Sequence, residues 1–314
     1  MSKTAFTFPG QGSQAIGMGL ELAKAYPKAK AVFAEVDEAL HQDLSKLMWQ
    51  GSEDELRLTQ NAQPALMAVS MAVIKVLEDK GISVANNAAY VAGHSLGEYS
   101  ALCAAGTFSI GDGARLLRTR GLAMQQAVPV GEGAMAAILG LDLDAVVDIA
   151  KQASQGAVCE VANDNAPGQV VVSGSVAAIE RAIVLAKANG AKRALLLPVS
   201  APFHCSLMCD AAEKMEEALA LVKMNNPIVP LVSNILAAPI TDANEIRRRL
   251  VEQVTGKVRW SESVTWLTGE GGVTDLIEIG AGKVLSGLAR RINRDAKAVA
   301  IGNPEQIEAF ISKA

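Results

Sequence analysis

The feature that most constrains this chain is a pentapeptide set between two elements of opposite type. Residues 89–93, Ala-Tyr-Val-Ala-Gly, form a short apolar run of strand character, and residues 99–106 read as a helix. Between them Gly93-His94-Ser95-Leu96-Gly97 fits G-x-S-x-G, the nucleophile elbow. There a serine is forced onto a sharp strand-to-helix turn that side chains at the glycine positions would obstruct. Ser95 is therefore the candidate nucleophile. It stands at a helix start, where the Leu96 amide and the positive end of the helix dipole face a developing oxyanion. The plainer reading is a glycine-rich turn that contains a serine, but it does not require the flanking strand and helix.

The rest of the chain supplies an α/β setting for that turn. Residues 4–8 alternate like a strand and run into Pro9-Gly10-Gln11-Gly12, which is turn chemistry. Val32, Phe33, Val36 and Leu40 line one face of a helix over 28–42. Ser52 and Glu55 form a capping box, and Pro64 is expected to open a long helix ending at Gly81, with Met67, Met71 and Ile74 on its buried face. Between about 128 and 197 the order changes. Strand 134–139, helix 144–155, a hairpin of 158–161 with 169–173, helix 176–189 and strand 194–197 give the ferredoxin-like β-α-β-β-α-β arrangement. Residues 228–233 and 275–279 then read as buried parallel strands. The expected fold is α/β. A hydrolase-like large domain with a central, mostly parallel sheet is built from 1–127 and 198–314, and a small ferredoxin-like subdomain is inserted at 128–197. A ligand cleft is expected between them.

A nucleophilic serine needs a base, and the chain has three histidines. His41 ends an amphipathic helix and reads as a surface residue. His94 adjoins Ser95 on a sharp turn, where neighbouring side chains diverge. His204, in a loop after the last strand of the insert, is left by elimination, with a buried structural histidine as the alternative. Several carboxylates lie between the two, including Asp142, Asp144, Asp148 and Asp164, but these fall in the insert or its loops and none is placed convincingly. The reading is a Ser-His dyad whose histidine is oriented by something other than an acid, such as a backbone carbonyl. Gly10-Gln11-Gly12 with Ala15 imitates a dinucleotide fingerprint, but no βαβ unit follows. A glycine-loosened loop offering a second oxyanion donor fits better. Gly282-Lys283 lacks the other positions of a phosphate-binding loop. His204, Cys205 and Cys209 lack a distant fourth metal ligand, so no metal is expected and both cysteines are read as packing residues. Of Arg115, Arg118 and Arg120, on one helix after the elbow, any that is buried beside Ser95 would suit a substrate carboxylate bidentately.

Composition excludes whole classes of partner. With Lys+Arg 29 against Asp+Glu 33 the formal charge is -4, which gives no footprint for nucleic acid. Four scattered cysteines fit a reducing compartment. The start of the chain carries no export signal, and its most apolar window, 65–77, falls short of a membrane span. A cytoplasmic protein with no membrane partner is expected.

Taken together, FPGQGSQ at 8–14, QPA at 63–65, GHSLGEYSAL at 93–102, RTRGLAMQ at 118–125, NAPGQVVVSG at 165–174 and APFH at 201–204 resemble one family. It is the acyltransferase family of fatty-acid and polyketide synthesis, in particular the malonyl-CoA:acyl-carrier-protein transacylases. The resemblance covers essentially the full chain in order. It implies transfer of malonyl from malonyl-CoA to the phosphopantetheine thiol of acyl carrier protein through a malonyl-serine, supplying fatty-acid biosynthesis, by a monomer without cofactor. By position it implies Ser95 as nucleophile, His204 as base and acid, and the Gln11 and Leu96 amides as oxyanion hole. Arg120 is implied as partner of the malonyl carboxylate, the Gln253 carbonyl as support for the histidine, and Asn165 as a residue near the pocket. A serine thioesterase and a non-catalytic carrier-docking subunit are the alternatives. An acidic carrier would need a basic patch, for which Arg247, Arg248 and Arg249, or Arg290, Arg291 and Arg294, are candidates.

Overall fold

The computed structural model describes residues 3–199 and 201–312. Strands β1 (Thr4–Phe8), β2 (Tyr90–Gly93), β3 (Gly133–Leu139), β4 (Cys159–Ala166), β5 (Gln169–Ser175), β6 (Arg193–Leu196), β7 (Leu231–Val232), β8 (Pro239–Ile240), β9 (Asp275–Ile279) and β10 (Lys297–Ile301) form two sheets. The larger has the order β10-β9-β1-β2-β7-β8. It is parallel except for β8, which pairs antiparallel with β7. Both of its faces are covered, as parallel strands joined by helical crossovers require. Phe6, Phe8, Val91 and Ile277 pack on one side into the cluster of the Thr59–Asp79 helix. Ala5, Ala92, Val232 and Leu276 pack on the other against Trp260, Val264 and Leu288. The period of two along each strand thus sorts its side chains between two cores.

The second sheet, β4-β5-β3-β6, is wholly antiparallel and carries the Leu143–Ser154 and Val176–Ala188 helices over its own apolar cluster. The sequence order β-α-β-β-α-β and this strand order together make it ferredoxin-like. Its strand β4 is tied to the larger body. Asn163 and Val258 form an isolated parallel bridge, the Asp164 N–H donates to the Val258 carbonyl at 3.0 Å, and the Val258 N–H donates to the Ala162 carbonyl at 2.8 Å.

Three local expectations change. The long helix begins at Thr59, so Pro64 lies inside it. The turn ahead of the proline is held by Leu58, whose carbonyl accepts from the Asn61 and Ala62 amides, and it packs so closely on the Ile110–Gln126 helix that a Cβ at Gly121 would stand 2.5 Å from the Gln60 Cα. Tertiary packing overrides the start signal there. The run 228–233 pairs only over Leu231 and Val232, and Ile228 is 58% exposed, because the Ile228 amide is spent on the Ala105 carbonyl in a loop. Cys209 begins the Cys209–Ala220 helix on its solvent side and is exposed, whereas Cys205 is buried as expected.

Candidate active site

The elbow forms because two glycines permit it. A Cβ at Gly93 would lie 1.9 Å from the Gly97 carbonyl, and one at Gly97 would lie 2.2 Å from the Phe8 carbonyl oxygen at the end of β1. Between them Ser95 adopts φ 52°, a left-handed conformation that costs a non-glycine residue energy and survives only where its surroundings hold it. The Ser95 N–H donates to Asn234 Oδ1 at 2.8 Å, the Asn234 Nδ2 donates to the Gly93 carbonyl at 2.6 Å, and the Gln253 Nε2 donates to the Ser95 carbonyl at 2.9 Å. Two distant side chains therefore satisfy the backbone on both sides of the serine.

His204 reaches the same point from the loop after β6. Its φ is 58° and it is buried to 4% exposure. Nε2 lies 2.8 Å from Ser95 Oγ, while Nδ1 lies 2.8 Å from the Gln253 carbonyl and 3.2 Å from the Gly256 carbonyl. Two carbonyls facing Nδ1 require the proton there, which leaves the Nε2 lone pair to accept from the Ser95 hydroxyl. Burial, with the nearby Arg120 charge, pushes the imidazole pKa down to about 3, against the opposing pull of the two carbonyls. The ring is thus neutral and able to take a proton. Of the other histidines, His41 caps a helix at the surface. His94 lines the same cavity but is bonded elsewhere, with Nε2 2.8 Å from Asn165 Oδ1.

Arg120 is the third group at the serine and is only 1% exposed. Its Nη2 donates to Ser95 Oγ at 3.2 Å and to Gln253 Oε1 at 2.9 Å, and Nη1 donates to Gln63 Oε1 at 2.8 Å. Burial pulls its pKa down, and the charges of Tyr99 and Glu98 oppose that. Arg115 and Arg118 go elsewhere, to Asp112 and Gln42. These groups open into a cavity of about 440 Å³, lined also by Gln11, Leu96, Met124, Met135, Asn163 and Phe203. It lies between the two sheets, since Met135 belongs to β3 and Asn163 to β4. Among the described residues neither the Gln11 nor the Leu96 amide donates a hydrogen bond. Asn165 is outside the lining and touches it through His94.

Two residues at the centre escape the sequence reading. Asn234 lies two residues past the end of β7, and the only signal was a polar Ser-Asn pair at the end of an apolar run. Glu98, inside the elbow helix, is 1% exposed. It accepts from the Asn234 N–H at 3.0 Å and from Gln253 Nε2. Its signal was an acid in an otherwise apolar helix. The arginines considered for docking are mostly committed within the chain. Arg247 binds the Leu219 and Val222 carbonyls, Arg248 and Arg249 pair with Glu245, Arg290 binds the Ala298 carbonyl and Arg291 binds Gln169. No group of three or more His, Cys, Asp or Glu among the described residues could hold a metal ion, and no helix among them is long and apolar enough to cross a membrane.

Known proteins share both sequence and shape with this chain. The malonyl CoA-acyl carrier protein transacylase of Bacillus subtilis is 50% identical over 312 residues, 99% of this chain and 97% of that protein. The acyl-carrier-protein-S-malonyltransferase of Bartonella henselae superposes with a TM-score of 0.97 at 56% identity over 99% of each chain. A malonyl-transacylase solved in complex with a type II PKS acyl-carrier protein gives 0.96 at 43% identity over 100% of both chains. The acyl transferase domain family matches residues 5–300, nearly the whole length, and the chain belongs to that family.

Proposed function

We propose that the chain moves a malonyl group from malonyl-CoA to the phosphopantetheine thiol of an acyl carrier protein through a malonyl ester on Ser95, in the service of fatty-acid biosynthesis. The observation that carries this reading is the Arg120 guanidinium, buried to 1% exposure and 3.2 Å from the Ser95 hydroxyl. A neutral acyl chain gains nothing from a desolvated cation beside its ester. An acyl group with its own carboxylate repays that burial through charge-assisted hydrogen bonds. The relatives named above, which are malonyl transferases across their full length, support the same substrate.

In the first half-reaction Ser95 Oγ attacks the thioester carbon as its proton passes to His204 Nε2. The negative charge that develops on the carbonyl oxygen is met by the backbone amides of Gln11 and Leu96. Collapse breaks the carbon–sulfur bond, and the imidazolium returns the proton to the CoA sulfur. In the second half-reaction the carrier thiol gives its proton to His204 while its sulfur attacks the ester, and His204 then reprotonates Ser95 Oγ. The Gln253 carbonyl keeps the Nδ1 proton in place throughout, and Asn165 steadies the wall of the pocket through His94. Arg120 holds the acyl carboxylate in one pose, favouring a thiol that arrives along the cleft over stray water. Nucleophile, base and anion partner are all side chains of the chain, so the proposed route calls for no cofactor, and the proposed substrates fit a cytoplasmic enzyme.

The test is intact-mass analysis after exposure to malonyl-CoA. The expected result is one malonyl adduct, which a phosphopantetheinylated carrier discharges onto its own thiol and which Ser95→Ala lacks. An adduct that persists in Ser95→Ala, or one that is discharged only to water, contradicts the proposal.

A further inference from the structure

Gln253 joins the groups at the serine. Its Oε1 accepts from Arg120 Nη2, and its Nε2 donates to the Ser95 carbonyl and to the Glu98 carboxylate. The amide can be placed only one way, because acceptors surround one end and a donor faces the other. Glu98 sits behind it in the elbow helix. Its other oxygen takes the Asn234 backbone N–H, and the Ser233 hydroxyl also reaches it. Burial pushes the Glu98 pKa up to about 7, against the pull of these donors and of Arg120, the cation that faces it. A buried carboxyl group and a buried guanidinium are thus linked through one amide, with no direct hydrogen bond between them.

From this chain of bonds we propose that Glu98 is a positioning residue for acyl selectivity. Through the Gln253 amide it fixes the Arg120 guanidinium in the orientation that receives the substrate carboxylate. The inference rests on the reading of Arg120 as partner of the malonyl carboxylate. Its physical basis is the near-isosteric change Glu98→Gln. The Asn234 N–H is backbone and cannot turn, so it keeps the one carbonyl oxygen of the new side chain. The new NH₂ then faces the Gln253 NH₂, donor against donor. To relieve that clash Gln253 must reverse its amide, which withdraws Oε1 from Arg120 and presents the guanidinium with a second donor. Glu98 touches no substrate, and its effect passes entirely through Arg120.

The experiment compares the kcat/KM ratio for malonyl-CoA over acetyl-CoA in the full-length protein, Glu98→Gln, Arg120→Ala and the double variant. The expected result is a ratio that falls at least about tenfold in Glu98→Gln, within the range for residues coupled in one network. A raised KM for malonyl-CoA should cause the fall. In the double variant the ratio should equal that of Arg120→Ala alone. A merely structural glutamate would slow both acyl groups equally. If Arg120→Ala collapses the ratio while Glu98→Gln moves it by less than about twofold, or if the two changes multiply in the double variant, the inference is overturned and the reading of Arg120 stands. If Arg120→Ala itself leaves the ratio unchanged, the reading falls and the inference with it. Gln253→Met cuts the same chain at its middle while keeping the backbone carbonyl on His204, and it carries the test should Glu98→Gln fail to fold. The expected ratio matches that of Glu98→Gln, and an unchanged ratio overturns the inference.

Discussion

The backbone N–H of Ser95 donates to the side chain of Asn234 at 2.8 Å, and the same side chain donates to the carbonyl of Gly93, two residues earlier. One amide therefore fastens both sides of a turn whose serine is held at φ 52°. Asn234→Ala leaves a part-buried donor and a buried acceptor unsatisfied, and such a loss costs about 1–3 kcal/mol where water cannot replace the partner. The expected outcome is a lower urea midpoint together with a loss of malonyl-enzyme formation larger than the stability change accounts for, measured by equilibrium unfolding and by single-turnover acylation. Wild-type acylation in a destabilised Asn234→Ala would refute the role.

Arg120→Ala should reduce discrimination for malonyl over acetyl by about 10- to 100-fold, the scale of one hydrogen bond to a charged group. Arg120→Lys should recover little of it. A single ammonium cannot serve Gln63, Gln253 and a substrate carboxylate with the planar fork they now share. Steady-state competition between the two acyl-CoAs provides the measurement, and full recovery by lysine would argue against a bidentate contact.

Because burial holds the His204 pKa near 3, the folded protein binds fewer protons there than the unfolded chain, in which histidine titrates near its ordinary value of about 6.5. The unfolded state therefore gains protons first as pH falls. Stability is fully present above about pH 6.5 and is lost below it by up to about 1.4 kcal/mol per pH unit, continuing toward the folded pKa. Denaturant midpoints at pH 7.5 and pH 5 should differ in that direction, and His204→Gln should lessen the difference. The same neutrality predicts that acetyl transfer has no acid limb near pH 6.5. A pH profile with an ordinary histidine limb there would contradict it.

The division into 1–127 with 198–314 on one side and 128–197 on the other is proposed from the two separate sheets. The connection at its first boundary is an exposed turn in which the Glu132 N–H donates to the Pro129 carbonyl and Val130 is 85% exposed. A glutamate-specific protease under native conditions should cut first after Glu132, since exposed glutamates within helices are held by their backbone bonds. A first cut inside the small sheet, at Glu160, would count against this boundary.

Much of this architecture is legible in the chain because its signals are local. Alternation marks β1, the glycines mark the elbow, and the Ser52 capping bond to the Glu55 amide forms as the pattern predicts. The order of elements in the insert suffices to name its sheet. What stays hidden depends on contacts between remote segments. Pro64 reads as a helix start until the neighbouring helix, closing in at Gly121, stabilises an earlier turn. Strand β10 pairs with β9 in a register that no short window contains. Glu98 looks like an ordinary first-turn acid, and its burial becomes intelligible only when Asn234 and Gln253 are beside it.

The Ser95 carbonyl accepts from the nearby Glu98 N–H and from a side-chain donor 158 positions downstream, on a helix that ends at Thr255. During synthesis the serine leaves the ribosome long before its frame exists. A nascent or truncated chain ending short of that helix carries the hydroxyl but lacks the carbonyl that sets the histidine's proton and the amide that steadies the arginine. Reactivity is therefore expected to wait on the helix that carries Gln253, and a chain cut before residue 243 should form no malonyl adduct.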